Sequence, residues 1–133
     1  MVISNVQKMI LYMSCAYIGR EHDMTILKSE FGHRQGWFRR FHVWIDLGFQ
    51  GFEKHFKALS VNIPHRKKRS TELTGEQKSR NREVSKERIV VEHSIAGLKR
   101  YGLLRERVRN KKWEQFDEIC GICAGLWNFN LSP

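Results

Sequence analysis

The stretch "LTGEQKSRNREVSKERIVVEHSIAGLKR", residues 73–100, decides how the rest of the chain is read. Thr74 and Gln77 stand at capping-box spacing: the threonine hydroxyl accepts from the Gln77 N–H while the glutamine side chain reaches back to the Thr74 N–H. Beyond this start, Val84, Val91, Ile95 and Leu98 recur on one stripe at the 3.6-residue period. The spacing predicts a helix running towards Arg100, its stripe packed against a sheet. Glu92 falls about a quarter turn from the centre of that stripe, in line with Ser85, Arg88, Ala96 and Lys99. That is a boundary position, neither buried nor fully outward.

Working outward, "MVISN" and "KMILYMSCAYIG" are short runs rich in β-branched and aromatic residues, predicted as two strands joined by a tight turn. "HDMTILKSEFG" spaces Met24, Leu27 and Phe31 as a helix, with Gly32 as its stop. "FHVWIDLGFQG" reads as a strand from Phe41 to Ile45 that opens at Asp46 into a loop containing Gly48 and Gly51. "ALSVNIP" follows as a further short strand, closed by Pro64 and the cluster "HRKKR". At the far end, "KKWEQFDEICGICAGLWNF" places Trp113, Phe116, Cys120, Cys123 and Trp127 on one face of a closing helix. Trp44, Trp113 and Trp127 are expected in the core. No internal repeat interrupts this mixed α/β order.

The 133 residues are 41% hydrophobic, enough for one domain with a core, taken as residues 1–133. No apolar run approaches the ~20 residues of a bilayer span, and the opening residues lack the charged start of a secretory signal. An intracellular protein with no membrane partner is expected. Three cysteines suggest neither a disulfide framework nor a four-ligand zinc site. Cys15, Cys120 and Cys123 are expected as reduced core thiols, the C-x-x-C pair being set among Ile119, Ile122 and Leu126.

The formal charge of +10 is concentrated in one place: residues 64–112 hold 16 of the 24 Lys and Arg but 6 of the 14 Asp and Glu. The rest of the chain is neutral. A neutral body with one basic segment suits a surface that tracks phosphates and gains affinity by counterion release, and DNA is the expected partner. Arg66, Lys67, Lys68, Arg69, Arg88, Lys99 and Arg100 are the candidate backbone contacts. The plain alternative is a solvated charged face.

Two acids stand where chemistry could be done. Asp46 ends a strand and Glu92 lies on a later helix. Hard cations such as Mg²⁺ take oxygen ligands from one or two carboxylates plus substrate phosphates, and paired cations can activate one oxygen while stabilising another. Spacing and charge alone leave an ordinary reading open: Glu92 pairs with Arg88 or Lys99, and Asp46 caps a loop.

The ordered pieces "GREHD", "DLGFQG", "IPHRKKRSTELTGEQKSRNREVSKERIVVEHSIAGLKR" and "LWNF" resemble the carboxyl-terminal part of the catalytic domain of DDE-type insertion-sequence transposases, the group related to Harbinger transposases. The resemblance covers nearly the whole chain. "DLGFQG" is similar to that family's second acid motif and "RIVVEHSIAGLKR" to its third. The resemblance therefore implies an RNase H-like mixed sheet with packing helices, incomplete at the amino terminus. It makes Asp46 and Glu92 catalytic and metal-binding acids, with Mg²⁺ or Mn²⁺ as cofactor. The reaction implied is DNA strand cleavage and strand transfer on transposon ends and target, in the nucleoid of a bacterium or the nucleus of a eukaryote.

The family's first acid has no match in this sequence. Asp23 would complete a triad by composition, but the two strands and helix that separate the first and second acids in such a fold do not fit in the 22 positions between Asp23 and Asp46. Asp23 is expected to be a local structural acid following His22. Alone, the chain is expected to be inactive, with the amino-terminal part of a transposase, or another copy of the chain, as partner. Two other readings stay open: a non-enzymatic DNA-binding remnant, and an unrelated metal-dependent nuclease.

Overall fold

The computed structural model describes the chain except residues 18, 33–35, 68–69, 103–112 and 132–133, and gives the backbone alone at Trp113 and Glu114. Its elements run β1 (Val2–Ser4), β2 (Ile10–Met13), α1 (Asp23–Glu30), β3 (His42–Trp44), a 3₁₀ turn (Leu47–Phe49), α2 (Phe52–His55), β4 (Ser60–Asn62), α3 (Gly75–Lys99) and α4 (Trp113–Leu131). The chain divides into two compact units: Met1–Ile18 with Ile89–Pro133, and Gly19–Arg88. The architecture is mixed α/β, with small sheets and packing helices.

In the first unit β1 and β2 form the expected antiparallel hairpin. The turn is built by Asn5, whose Oδ1 accepts from the Gln7 and Met9 amides at 3.0 Å each. Lys8 takes a left-handed φ of 69° there, an uncommon conformation for a residue with a Cβ. Its carbonyl is held twice: Ser94 Oγ and Trp127 Nε1 both donate to it, at 2.9 Å. Asn128 then pairs with both backbone groups of Ile10, accepting its N–H at 2.8 Å and donating to its carbonyl at 2.9 Å. Hairpin, α3 and α4 are thus tied by side chain to backbone bonds around a small core of Ile10, Leu98, Cys123 and Ala124.

The second unit pairs β3 with β4 in parallel, His42 opposite Ser60 and Trp44 opposite Asn62. Backbone bonds from Leu59 N to Phe41 O and from Ile45 N to Asn62 O carry the pairing over the span expected from sequence. Its core is aromatic. Phe38 lies 5.3, 5.2 and 5.5 Å, ring centre to ring centre, from Phe31, Phe52 and Phe56, and all four are buried with Met24, Ile26, Leu27 and Val84. Tilted and edge-to-face pairs of this kind add to the area they bury.

α1 ends at Glu30 with Phe31 as its extended C-cap, the Phe31 N–H still bonded to the Leu27 carbonyl, so the helix closes directly before Gly32. Several expectations need correction. Trp44 and Trp127 are only partly buried, and Trp113's side chain lies outside the described residues. Cys15 is exposed and Cys120 intermediate, leaving Cys123 as the buried thiol. Ile122 and Leu126 are 62% and 47% exposed, so they do not pack around the cysteines; the inward face of α4 runs instead through Ile119, Cys123, Ala124 and Trp127. Among the described residues, no helix is long and apolar enough to cross a membrane.

Gly97 shows why one helical position excludes a side chain: a Cβ built there would overlap the Trp127 ring. Gly97→Ala should therefore lower unfolding free energy by about 1 kcal/mol in urea titration, because overpacking a rigid neighbour costs about 1–3 kcal/mol and outweighs the helix-propensity gain of about 1 kcal/mol. With Trp127→Leu in the background the same change should turn neutral or stabilising.

Candidate active site

The "DLGFQG" segment is a strand end followed by two turns. As β3 finishes, Asp46 becomes the cap of the 3₁₀ turn, its Oδ1 accepting from the Leu47 N–H at 2.6 Å. The Asp46 carbonyl closes the turn by accepting from Phe49. Gly51 then adopts φ 88° as the residue leading into α2, a left-handed conformation that costs other residues roughly 1–2 kcal/mol. Gly48 is required for a different reason, close approach: a Cβ there would lie 3.2 Å from Asp23 Cγ and 3.4 Å from Asp23 Cβ, with Oδ2 nearer still.

Asp46 has a second partner. Arg88 Nη2 donates to its Oδ2 at 3.0 Å, the aspartate half exposed and the arginine 26% exposed. Arg88, read from sequence as a phosphate contact, thus pairs with the candidate acid, and the capping role left open for Asp46 is realised. Sequence spacing could not find this pair, because the two residues are 42 positions apart. Four hard oxygen lone-pair directions are divided between an amide, a guanidinium and solvent. An exposed carboxylate of this kind suits a cation that keeps most of its water.

α3 begins as predicted. Thr74 N donates to Gln77 Oε1 at 3.0 Å and Gln77 N to Thr74 Oγ1 at 3.2 Å, completing the capping box. Along the helix Val84 is 1% exposed, Val91 and Ile95 are intermediate and Leu98 is 5% exposed. The most buried member is one the apolar stripe did not include: Ser94, fully buried, its hydroxyl shared between the Lys8 and Val90 carbonyls. Glu92 is exposed rather than at a boundary, and so is His93. Among the described residues, no three His, Cys, Asp or Glu side chains gather into a ready-made metal site.

Among the described residues of the basic segment, every Lys and Arg but Arg88 is exposed. Asn81 on α3 holds the His65 peptide at both groups, 2.7 and 3.1 Å, and Arg66 and Lys67 beyond it are exposed. Lys67 and Lys78 flank Glu72 at 3.6 and 3.7 Å. Lys99 and Arg100 are exposed in the other unit, the Arg100 guanidinium 6.0 Å from the Trp127 ring centre. Lys68 and Arg69 lie outside the described residues.

The family model described as DDE superfamily endonuclease matches residues 1–128. Over 114 residues the chain is 33% identical to a protein named as a probable transposase for insertion sequence element IS702, from Microchaete diplosiphon. That alignment takes in 86% of the chain but 39% of the relative, so the chain spans well under half of that relative's length. No solved structure matches.

Two outcomes follow from this geometry. Arg88→Gln should change stability by less than about 1 kcal/mol in chemical denaturation, since ion pairs open to solvent contribute little. Burial raises the thiol pKa of both Cys120 and Cys123, Cys120 also through the nearby Asp117 charge, so both are short of reactive thiolate at neutral pH. Iodoacetamide followed by mass spectrometry should mark the exposed Cys15 first.

Proposed function

Because this chain belongs to the DDE superfamily endonuclease family, we propose that Asp46 and Glu92 are two of the acids that hold divalent metal for cutting and joining DNA strands, in part of an RNase H-like transposase domain. The superfamily is generally dependent on divalent metal. One observation carries the proposal: the match over residues 1–128 contains both "DLGFQG" and "RIVVEHSIAGLKR", and the first of these is folded so that Asp46 stands exposed at a strand end.

Asp46 and Glu92 would hold Mg²⁺ or Mn²⁺, which would supply activation of the attacking oxygen and stabilisation of the leaving one. The chain's own groups do the rest. Asp46 is aimed by the Leu47 amide. Arg88, seated on Asp46, is available to a DNA phosphate once released, with the planar donor geometry phosphates favour. Arg66, Lys67, Lys99 and Arg100, together with Lys68 and Arg69 by sequence, follow the DNA backbone of transposon ends and target. We read residues 1–133 as part of one catalytic domain that takes its third acid from the amino-terminal part of a transposase or from another copy, and that does not cut DNA alone. The concentrated positive charge also favours a second reading, a DNA-binding remnant whose acids have no reaction to serve.

Purified chain should bind duplex DNA with a log–log salt slope of about −0.9 per phosphate neutralised, and replacing Arg66 and Lys67 by Gln should flatten that slope by roughly two. Salt-independent binding would remove the basic segment from the reading. Supercoiled plasmid should stay intact with Mg²⁺ or Mn²⁺; nicking that is lost in Glu92→Gln would show that no third acid is needed. A polypeptide supplying that acid should restore nicking that Asp46→Asn abolishes, whereas the remnant reading expects none.

A further inference from the structure

The "GREHD" segment has no part in the chemistry above, yet its aspartate touches the loop that presents Asp46. Asp23 is the first residue of α1 and exposed at its surface. Its carboxylate lies over the backbone of Gly48 so closely that a methyl at that position would overlap Oδ2 and press on Cγ and Cβ. Gly48 is the middle residue of the 3₁₀ turn that Asp46 caps. Asp23, Gly48 and Asp46 all belong to the unit Gly19–Arg88, where α1 and this turn pack together.

We infer that Asp23 is a positioning residue for Asp46: its carboxylate rests on Gly48 and limits the positions the turn can take, and glycine is needed at 48 so that it can rest there. The inference builds on the reading of Asp46 as a metal-binding acid. A 3₁₀ turn of three residues has few internal bonds, here Phe49 N to Asp46 O and Gln50 N to Leu47 O, and such turns are poorer in hydrogen-bond geometry than an α-helix. The direction of the Asp46 side chain is therefore set largely by what bears on the turn from outside. Arg88 bears on the carboxylate itself. Asp23 bears on the backbone one residue beyond Leu47, whose amide aims Asp46 Oδ1. A side chain with two rotatable bonds anchored on a helix is a stiff support, and partners behind a metal ligand tune its affinity. An acid in the first turn also favours the helix dipole, but that role would act on α1 and leave the turn unaffected.

The test uses the full chain, with Mn²⁺ binding followed by electron paramagnetic resonance and the Leu47 amide followed by hydrogen exchange. Asp23→Ala should weaken Mn²⁺ binding about tenfold, as loss of a partner behind a ligand does, and should speed Leu47 exchange. Asp23→Asn, with the same shape, should retain Leu47 protection. Gly48→Ala should act like Asp23→Ala by pushing the carboxylate away, and should cost nothing further once Asp23 is Ala, because the two changes remove one contact. Unchanged Leu47 exchange in Asp23→Ala, additive effects of the two changes, or an Asp23→Asn as impaired as Asp23→Ala would each overturn the inference. If Asp46→Asn leaves Mn²⁺ binding unaltered, the metal reading fails instead, while the Leu47 exchange rates still decide the role of Asp23.

Discussion

One narrow line on a 25-residue helix organises this protein. α3 contributes residues to both compact units and hides little in either: Val84 in one, and Ser94, Gly97 and Leu98 in the other. A helix this long with so thin an apolar line cannot be held by hydrophobic area alone. It is held by position-specific bonds at each stage: the Thr74–Gln77 box at its start, Asn81 on the His65 peptide, Arg88 on Asp46, and Ser94 on the Lys8 carbonyl. Most remaining positions face water, and they carry the charge.

The same economy explains a serine at the most buried point of the helix. An apolar residue there would leave the Lys8 carbonyl with the Trp127 N–H alone, in a turn already held at positive φ. Losing one of two donors to a partly buried carbonyl is costly. Gly97, one turn on, makes room for the indole that brings that second donor. Polarity at Ser94 and the missing side chain at Gly97 are thus two requirements of one arrangement, in which α4 reaches across the helix to the hairpin.

The loop of Asp46 follows a similar logic on a smaller scale. Three positions of "DLGFQG" each have their own cause: a carboxylate to cap the turn, a glycine for close approach, and a glycine for left-handed backbone. The aromatic core centred on Phe38 holds the chain that follows the loop, since Phe52 and Phe56 frame α2. A family motif is here a set of separate physical constraints acting on one turn.

By itself the sequence determined what depends on near neighbours: the hairpin, the capping box, the start and length of α3, the strand ending at Asp46, and the concentration of charge in one segment. Hydrophobic period and capping chemistry act within a few residues, so they can be read along the chain. Tertiary structure alone decided the Phe38 cluster, which gathers rings from the end of α1, a turn and α2. It also decided the Arg88–Asp46 pair, the Asp23 carboxylate over Gly48, and the exclusion of Ile122 and Leu126 from the core. Such contacts join residues that only folding brings together, and the energy of each depends on which partner it meets rather than on its own residue type.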